Sequence, residues 1–298
     1  MESKENPVFG SKVFFLDPSL NVRNVVVERL RVQEYEVYIL DDIEKAKPVL
    51  REFPHAICFI NIDDQIPISS WFNFVKSFEF DPTLSTIFLG VLSAKAKTVE
   101  REQFLLKTKI PGGFVNLNDN INVVYCTVQK ILDINGSKGR RKFVRLDCHN
   151  NSEVSANAIV NQRLVNFTMD DVSSCGFAVR VKTNMASLFV QNVDYSVTLH
   201  LSRSDIVVKA KVFAIKPNQD DVTIVFILSE NTPPEINEEI RKYVFRVLQS
   251  NMDAKQAGSI GDKTDYSKEI KIPEAKKSEL LSIDDIRFED LGDLEDIK

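Results

Sequence analysis

From Lys12 to Ile134 short apolar runs alternate with stretches in which apolar residues recur every three or four positions. The runs "KVFFLD", "EVYIL", "AICFIN", "TIFLGVL" and "GGFVNL" have the length and near-continuous apolar character of strands buried on both faces. Between and after them, "LNVRNVVVERLRVQ" places Val22, Val25, Val26 and Leu30 on one helical face. Helical spacing returns in "IEKAKPVLREF", "SWFNFVKSF", "VEREQFLLKT" and "INVVYCTVQKIL". Five strands alternating with five helices predict an α/β doubly wound domain, a parallel sheet covered on both sides. In such a domain function gathers at the carboxyl ends of the strands.

The pattern changes after "DINGSKG" (133–139), which is small, polar and interrupts the helical spacing. Beyond it come "SEVSANAIVNQ", "LVNFTM", "GFAVRV", "YSVTLHL", "IVVKAKVFAI" and "DVTIVFIL", short β-rich runs separated by polar turns. They predict an antiparallel β-barrel. A helix follows Pro233 and Pro234, with Ile236, Ile240, Tyr243, Val244, Val247 and Leu248 on one face. From Asn251 the periodicity lapses, and a disordered acidic tail is expected. The reading is therefore multidomain: a first α/β domain over 1–134, a linker over 135–139, a barrel with its closing helix over 140–250, and a tail over 251–298.

Charge sharpens the tail. Residues 278–298 hold eight acids against Arg287 and Lys298, a net of −6 in a chain of net −5, so the remainder sums to +1. The acidity belongs to the tail rather than to the body of the protein. With 43% hydrophobic and 27% charged residues and no apolar run near the ~20 residues of a membrane helix, a globular cytoplasmic protein without membrane insertion is expected. The four cysteines include no CxxC pair and read as buried reduced thiols. Cys148, His149 and Cys175 do not match a zinc spacing, and no metal or cofactor is expected.

No GxSxG, HExxH, Walker or GxGxxG pattern occurs, and the three histidines lie far apart, so a non-enzymatic role is expected. The chemistry instead concentrates in "GRRKFVRLDC" (139–148) and "DDVSSCG" (170–176). Arg141 and Arg145 form RxxxR, beside Arg140 and Lys142. Asp171, Ser173 and Gly176 form DxSxxG. Residues four apart share a side of a helix or of an extended chain, so the two arginines can converge. Their planar forks grip phosphate oxygens or a purine O6/N7 edge and stack on bases. Asp171 and Ser173, two apart at a strand end, share a face and can meet the Watson–Crick edge of guanine. Gly176 permits a tight turn. Together these groups describe a site for a guanine nucleotide with accessible phosphates. Nucleic acid is not the expected partner, because the basic run is short and no broad basic face follows it.

Residues 140–250 resemble a PilZ domain, the bacterial receptor module for cyclic di-GMP, whose RxxxR and [D/N]xSxxG motifs are both intact here. The resemblance implies cyclic di-GMP binding by Arg140, Arg141, Arg145, Asp171, Ser173 and Gly176, in bacterial signalling with outputs such as motility, adhesion or biofilm formation. Ligand binding would change the interdomain arrangement or the surface offered to a protein partner.

The first domain resembles response-regulator receivers over about 120 residues but departs from them at the chemistry. Asp17 ends the first strand without a second acid, Asn61 stands where the phosphoacceptor aspartate belongs, and Leu117 replaces the lysine. Ser93 keeps the hydroxyl position. An amide cannot form an acyl phosphate, so an unphosphorylated, degenerate receiver is expected. Two other readings stay open: a ligand-free interaction scaffold, and a response regulator that accepts phosphate at Asp63 or Asp64.

Overall fold

The computed structural model describes residues 10–268 except 150, 152 and 203. The acidic stretch 278–298 therefore lies outside the described residues.

The first domain has strands β1 (Val13–Leu16), β2 (Val37–Leu40), β3 (Ile57–Asn61), β4 (Phe88–Ser93) and β5 (Phe114–Asn116). All pairings are parallel, in the order β2-β1-β3-β4-β5. Its helices are α1 (Glu28–Val32, entered through a π-helical turn at Val22–Val27), α2 (Ile43–Leu50), α3 (Ile68–Lys76), α4 (Thr98–Lys107) and α5 (Ile121–Ile134). Strand alternation divides the core. Phe14, Leu16, Cys58 and Ile60 face Trp71, Phe74 and Phe104 on the α2–α4 side. Val13, Phe15, Ile57 and Phe59 face Val26, Leu30, Val128 and Leu132 on the α1/α5 side. Both faces are covered, so the parallel strands are apolar at nearly every position.

The second domain contains β6 (Leu146–Asp147), β7 (Val154–Val160), β8 (Arg163–Ser173), β9 (Gly176–Lys182), β10 (Asp194–Leu201), β11 (Ser204–Pro217) and β12 (Asp221–Leu228). A four-residue helix, α6 (Thr183–Ala186), follows β9. The pairings run β8-β7-β10-β11-β12-β9, and β8 pairs again with β9, which closes a six-stranded antiparallel barrel; β6 lies outside it against β8. Inward residues alternate with exposed ones, as in β7, where Val154, Ala156, Ala158 and Val160 are buried.

The closing helix corrects the expected boundary at 250. α7 runs from Pro234 to Gly258, 25 residues and ~37 Å. Its first half places Ile240, Tyr243 and Val244 in the barrel core, while Met252 lies in the core of the first domain. Between them the Gln249 amide pairs with the edge of β2, accepting from Ile39 N at 3.0 Å and donating to Ile39 O at 2.9 Å. The continuation is held by such polar contacts and by one buried Met, so no apolar period marks it. Residues 259–268 then follow α2 and α3: Asp262 N donates to Glu44 O at 2.6 Å, and Asn73 Nδ2 to Tyr266 O at 2.9 Å.

Candidate functional site

The two motif segments meet because β6 pairs with β8. Register places Asp147 opposite Asp171 and Leu146 opposite Val172, so Arg145, just before β6, arrives beside Asp171. Arg145 Nη1 donates to Asp171 Oδ2 at 3.3 Å, with both side chains partly exposed.

A β-bulge sets the identity of that carboxylate. Against β9, Met169 pairs with Val179 and Asp171 with Ala178, which leaves Asp170 as the extra residue. Val165, Phe167 and Met169 point into the barrel before the bulge and Val172 after it, so Asp171 and Ser173 share the outer face. Asp170 is buried and accepts from Arg180 Nε at 2.5 Å. The neighbouring acids thus take different partners, Asp170 the Arg180 guanidinium and Asp171 that of Arg145, and both reach the cavity between the domains.

Arg141, Arg145 and Asp171 line a cavity of about 450 Å³ between the domains, within the usual range for ligand sites. Its wall also carries Lys12, Glu34, Glu36, Tyr38, Lys138, Asp147 and His149. Acids and bases both line it, so its charges largely offset one another. His149 Nδ1 lies 2.7 Å from Asp147 Oδ1 and Nε2 lies 3.6 Å from Asp170 Oδ1. The His149 backbone N–H and then its ring hold the Asp147 carboxyl below its usual range. Burial pushes the Cys148 thiol up to about 12, which keeps it protonated and inert.

The other motif residues are placed differently. Arg140 is exposed and does not line this cavity. Ser173 is 3% exposed, and its hydroxyl donates to Gly176 O at 2.9 Å across the β8–β9 turn. Gly176 is required by packing rather than by a left-handed turn: a Cβ there would lie 2.3 Å from Phe226 O on β12. The contributions of Glu34, Glu36 and Tyr38 come from the first domain, and no local pattern announces them.

At the carboxyl end of the first sheet, Asn61 Nδ2 donates to Asp17 O at 2.8 Å. Burial raises the Asp17 carboxyl above its usual range, opposed by a hydrogen bond with Gln65. Asp63 accepts from the Ser93 hydroxyl, from Ala94 N at 2.7 Å and from Lys95 N at 3.1 Å. Lys95 Nζ donates to Asp64 at 2.7 Å. The chain's own carboxylate occupies the donors that surround Ser93.

Among the described residues no group of three or more His, Cys, Asp or Glu side chains is placed to hold a metal ion, and no helix is long and apolar enough to cross a membrane.

No protein-family model matches the chain, and no curated protein matches it. Solved structures do. The PilZ domain with c-di-GMP of YcgR from Escherichia coli is 11% identical with a TM-score of 0.35, covering 41% of this chain and 99% of that one. The K. pneumonia MrkH–c-di-GMP complex is 16% identical with a TM-score of 0.35, covering 41% of this chain and 57% of that one, so the match spans little more than half of MrkH. A response regulator from Desulfuromonas acetoxidans is 15% identical with a TM-score of 0.34, covering 42% of this chain and 98% of that one. The chain is thus similar to PilZ-domain proteins and to a response regulator. At these scores the architecture rests on its own strand pairing.

Proposed function

We propose that this protein is a cyclic di-GMP receptor and signalling effector, not an enzyme, in which a barrel over 140–250 takes the ligand and an unphosphorylated receiver-like domain over 1–134 responds. The observation that supports this best is the convergence of Arg141, Arg145 and Asp171 on one interdomain cavity, from sequence segments that carry RxxxR and DxSxxG. Arg141 and Arg145 supply forks for phosphate and for the guanine O6/N7 edge, and Arg140, exposed and next to Arg141 in sequence, would join them only on rearrangement of the segment. Asp171 accepts from the guanine Watson–Crick edge once Arg145 turns to the ligand. Ser173 and Gly176 hold the β8–β9 turn that presents Asp171.

The hinge at 135–139 leads directly into the arginines, so a ligand that reorganises them changes how the domains meet and what surface a protein partner finds. The partner is read as protein rather than nucleic acid, and the setting as the bacterial cytoplasm, with outputs of the motility or adhesion type. Equilibrium dialysis with labelled cyclic di-GMP tests the reading. The wild type should retain label, and Arg141→Ala and Asp171→Ala should lose most of it. No retention by the wild type would support the ligand-free scaffold reading instead, and equal retention by all three would place the ligand away from Arg141 and Asp171.

A further inference from the structure

We propose that Glu34 is a latch on the ligand site: a carboxylate of the first domain that holds both motif segments in the unliganded arrangement and that an anionic ligand must displace. The proposal rests on the cyclic di-GMP reading for its ligand, and on geometry for the latch itself. Glu34 Oε2 accepts from Val144 N at 2.9 Å, inside "RRKFVR". Glu34 Oε1 accepts from Ser174 Oγ at 2.6 Å, inside "DDVSSCG". One side chain, 110 and 140 residues away in sequence, therefore ties the two halves of the site to the first domain.

The backbone beneath it is unusual. Glu34 ends α1 with φ +61°, in the left-handed region. Glu34 N donates to Arg31 O at 3.0 Å and Tyr35 N to Leu30 O at 3.0 Å, the paired bonds of a Schellman helix end. That position favours glycine, since a Cβ there crowds the following carbonyl. A glutamate at a glycine position, with both carboxylate oxygens used across a domain boundary, is strain maintained for a contact.

The consequence for ligand follows from charge. Glu34 lines the same cavity as Arg141, Arg145 and Asp171, so a phosphodiester entering it meets a carboxylate already holding the backbone next to Arg145. Binding must break the two Glu34 bonds or tolerate the like charge. Breaking them reduces the apparent affinity by the fraction of molecules that are unlatched, and tolerating the charge reduces it by repulsion. The released first domain is then free to reorient about the hinge, and the latch becomes the coupling between ligand and domain arrangement.

Two variants test this. Glu34→Gly suits the left-handed backbone and removes the carboxylate, and Ser174→Ala removes one of the two bonds. Without ligand, Glu34→Gly should be cut by trypsin several-fold faster at Arg140, Arg141 and Lys142, which are exposed and adjoin the held segment. Its Kd for cyclic di-GMP should fall by about tenfold, with Ser174→Ala between it and the wild type. Unchanged or weaker affinity in Glu34→Gly overturns the proposal, even if cleavage is faster. Unchanged cleavage in both variants also overturns it. If the wild type binds no cyclic di-GMP, the ligand reading fails, and the cleavage comparison still decides whether Glu34 holds the site.

Discussion

Arg145 donates to Asp171 at 3.3 Å across the β6–β8 pairing, so a guanidinium and a carboxylate from the two motif segments neutralise each other. The pair is partly exposed, and its own worth to stability is ~0–1 kcal/mol. On the proposed cyclic di-GMP reading its worth to ligand is larger, because the arginine would make a bidentate charge-assisted contact. Arg145→Ala should melt like the wild type and lose ~2–3 kcal/mol of cyclic di-GMP binding. Thermal melting and binding measured on one preparation check the two halves. A large stability loss would show that Arg145 is structural.

Gly176 carries a barrel prediction. Its substitution by alanine would force a Cβ to 2.3 Å from Phe226 O, and β12 would have to move from β9. Gly176→Ala should cost ~1–3 kcal/mol in chemical denaturation. Loss of ligand binding in this variant without loss of stability would argue for direct contact with ligand.

Lys47 predicts a pH dependence. It is 3% exposed, donates to Tyr266 OH at 2.7 Å, and lies 3.9 Å from Asp262. Burial lowers its ammonium to about 7, partly opposed by Asp262. The folded value is below the unfolded one of 10.5. Between these values the unfolded chain binds a proton that the folded chain lacks, so this group's contribution to stability is lowest below pH 7 and rises towards pH 10.5. Lys47→Met should flatten that rise, because the group that titrates is gone. Denaturation curves at pH 7 and pH 9.5 measure it, and an identical difference between the proteins at both pH values would contradict it.

The first domain should not take phosphate. Both oxygens of Asp63 already accept from Ser93, Ala94 N and Lys95 N, and Asn61 cannot form an acyl phosphate. Mass spectrometry after incubation with a small phosphodonor should find an unmodified chain. A phosphoaspartate at Asp63 or Asp64 would restore the response-regulator reading.

The strand runs were legible because parallel strands buried on both faces are apolar throughout and barrel strands alternate, and each signal is local. RxxxR and DxSxxG were legible for the same reason. β6 was not, since two residues hold no period, and neither was the second half of α7, which meets the first domain through Gln249 and Met252. The pairing of Asp171 and Ser173 on one face was legible from parity, but the bulge that spares Asp171 and buries Asp170 was not. Glu34 could not have been found at all. Its role depends on where a helix end in one domain falls against two loops of the other, a relation of tertiary structure alone.

Calorimetric titration of the full chain with cyclic di-GMP decides whether Arg141, Arg145 and Asp171 form the proposed site. The wild type should bind saturably, and Arg145→Ala should weaken binding by ~30-fold or more. No heat of binding at high-micromolar ligand would contradict it.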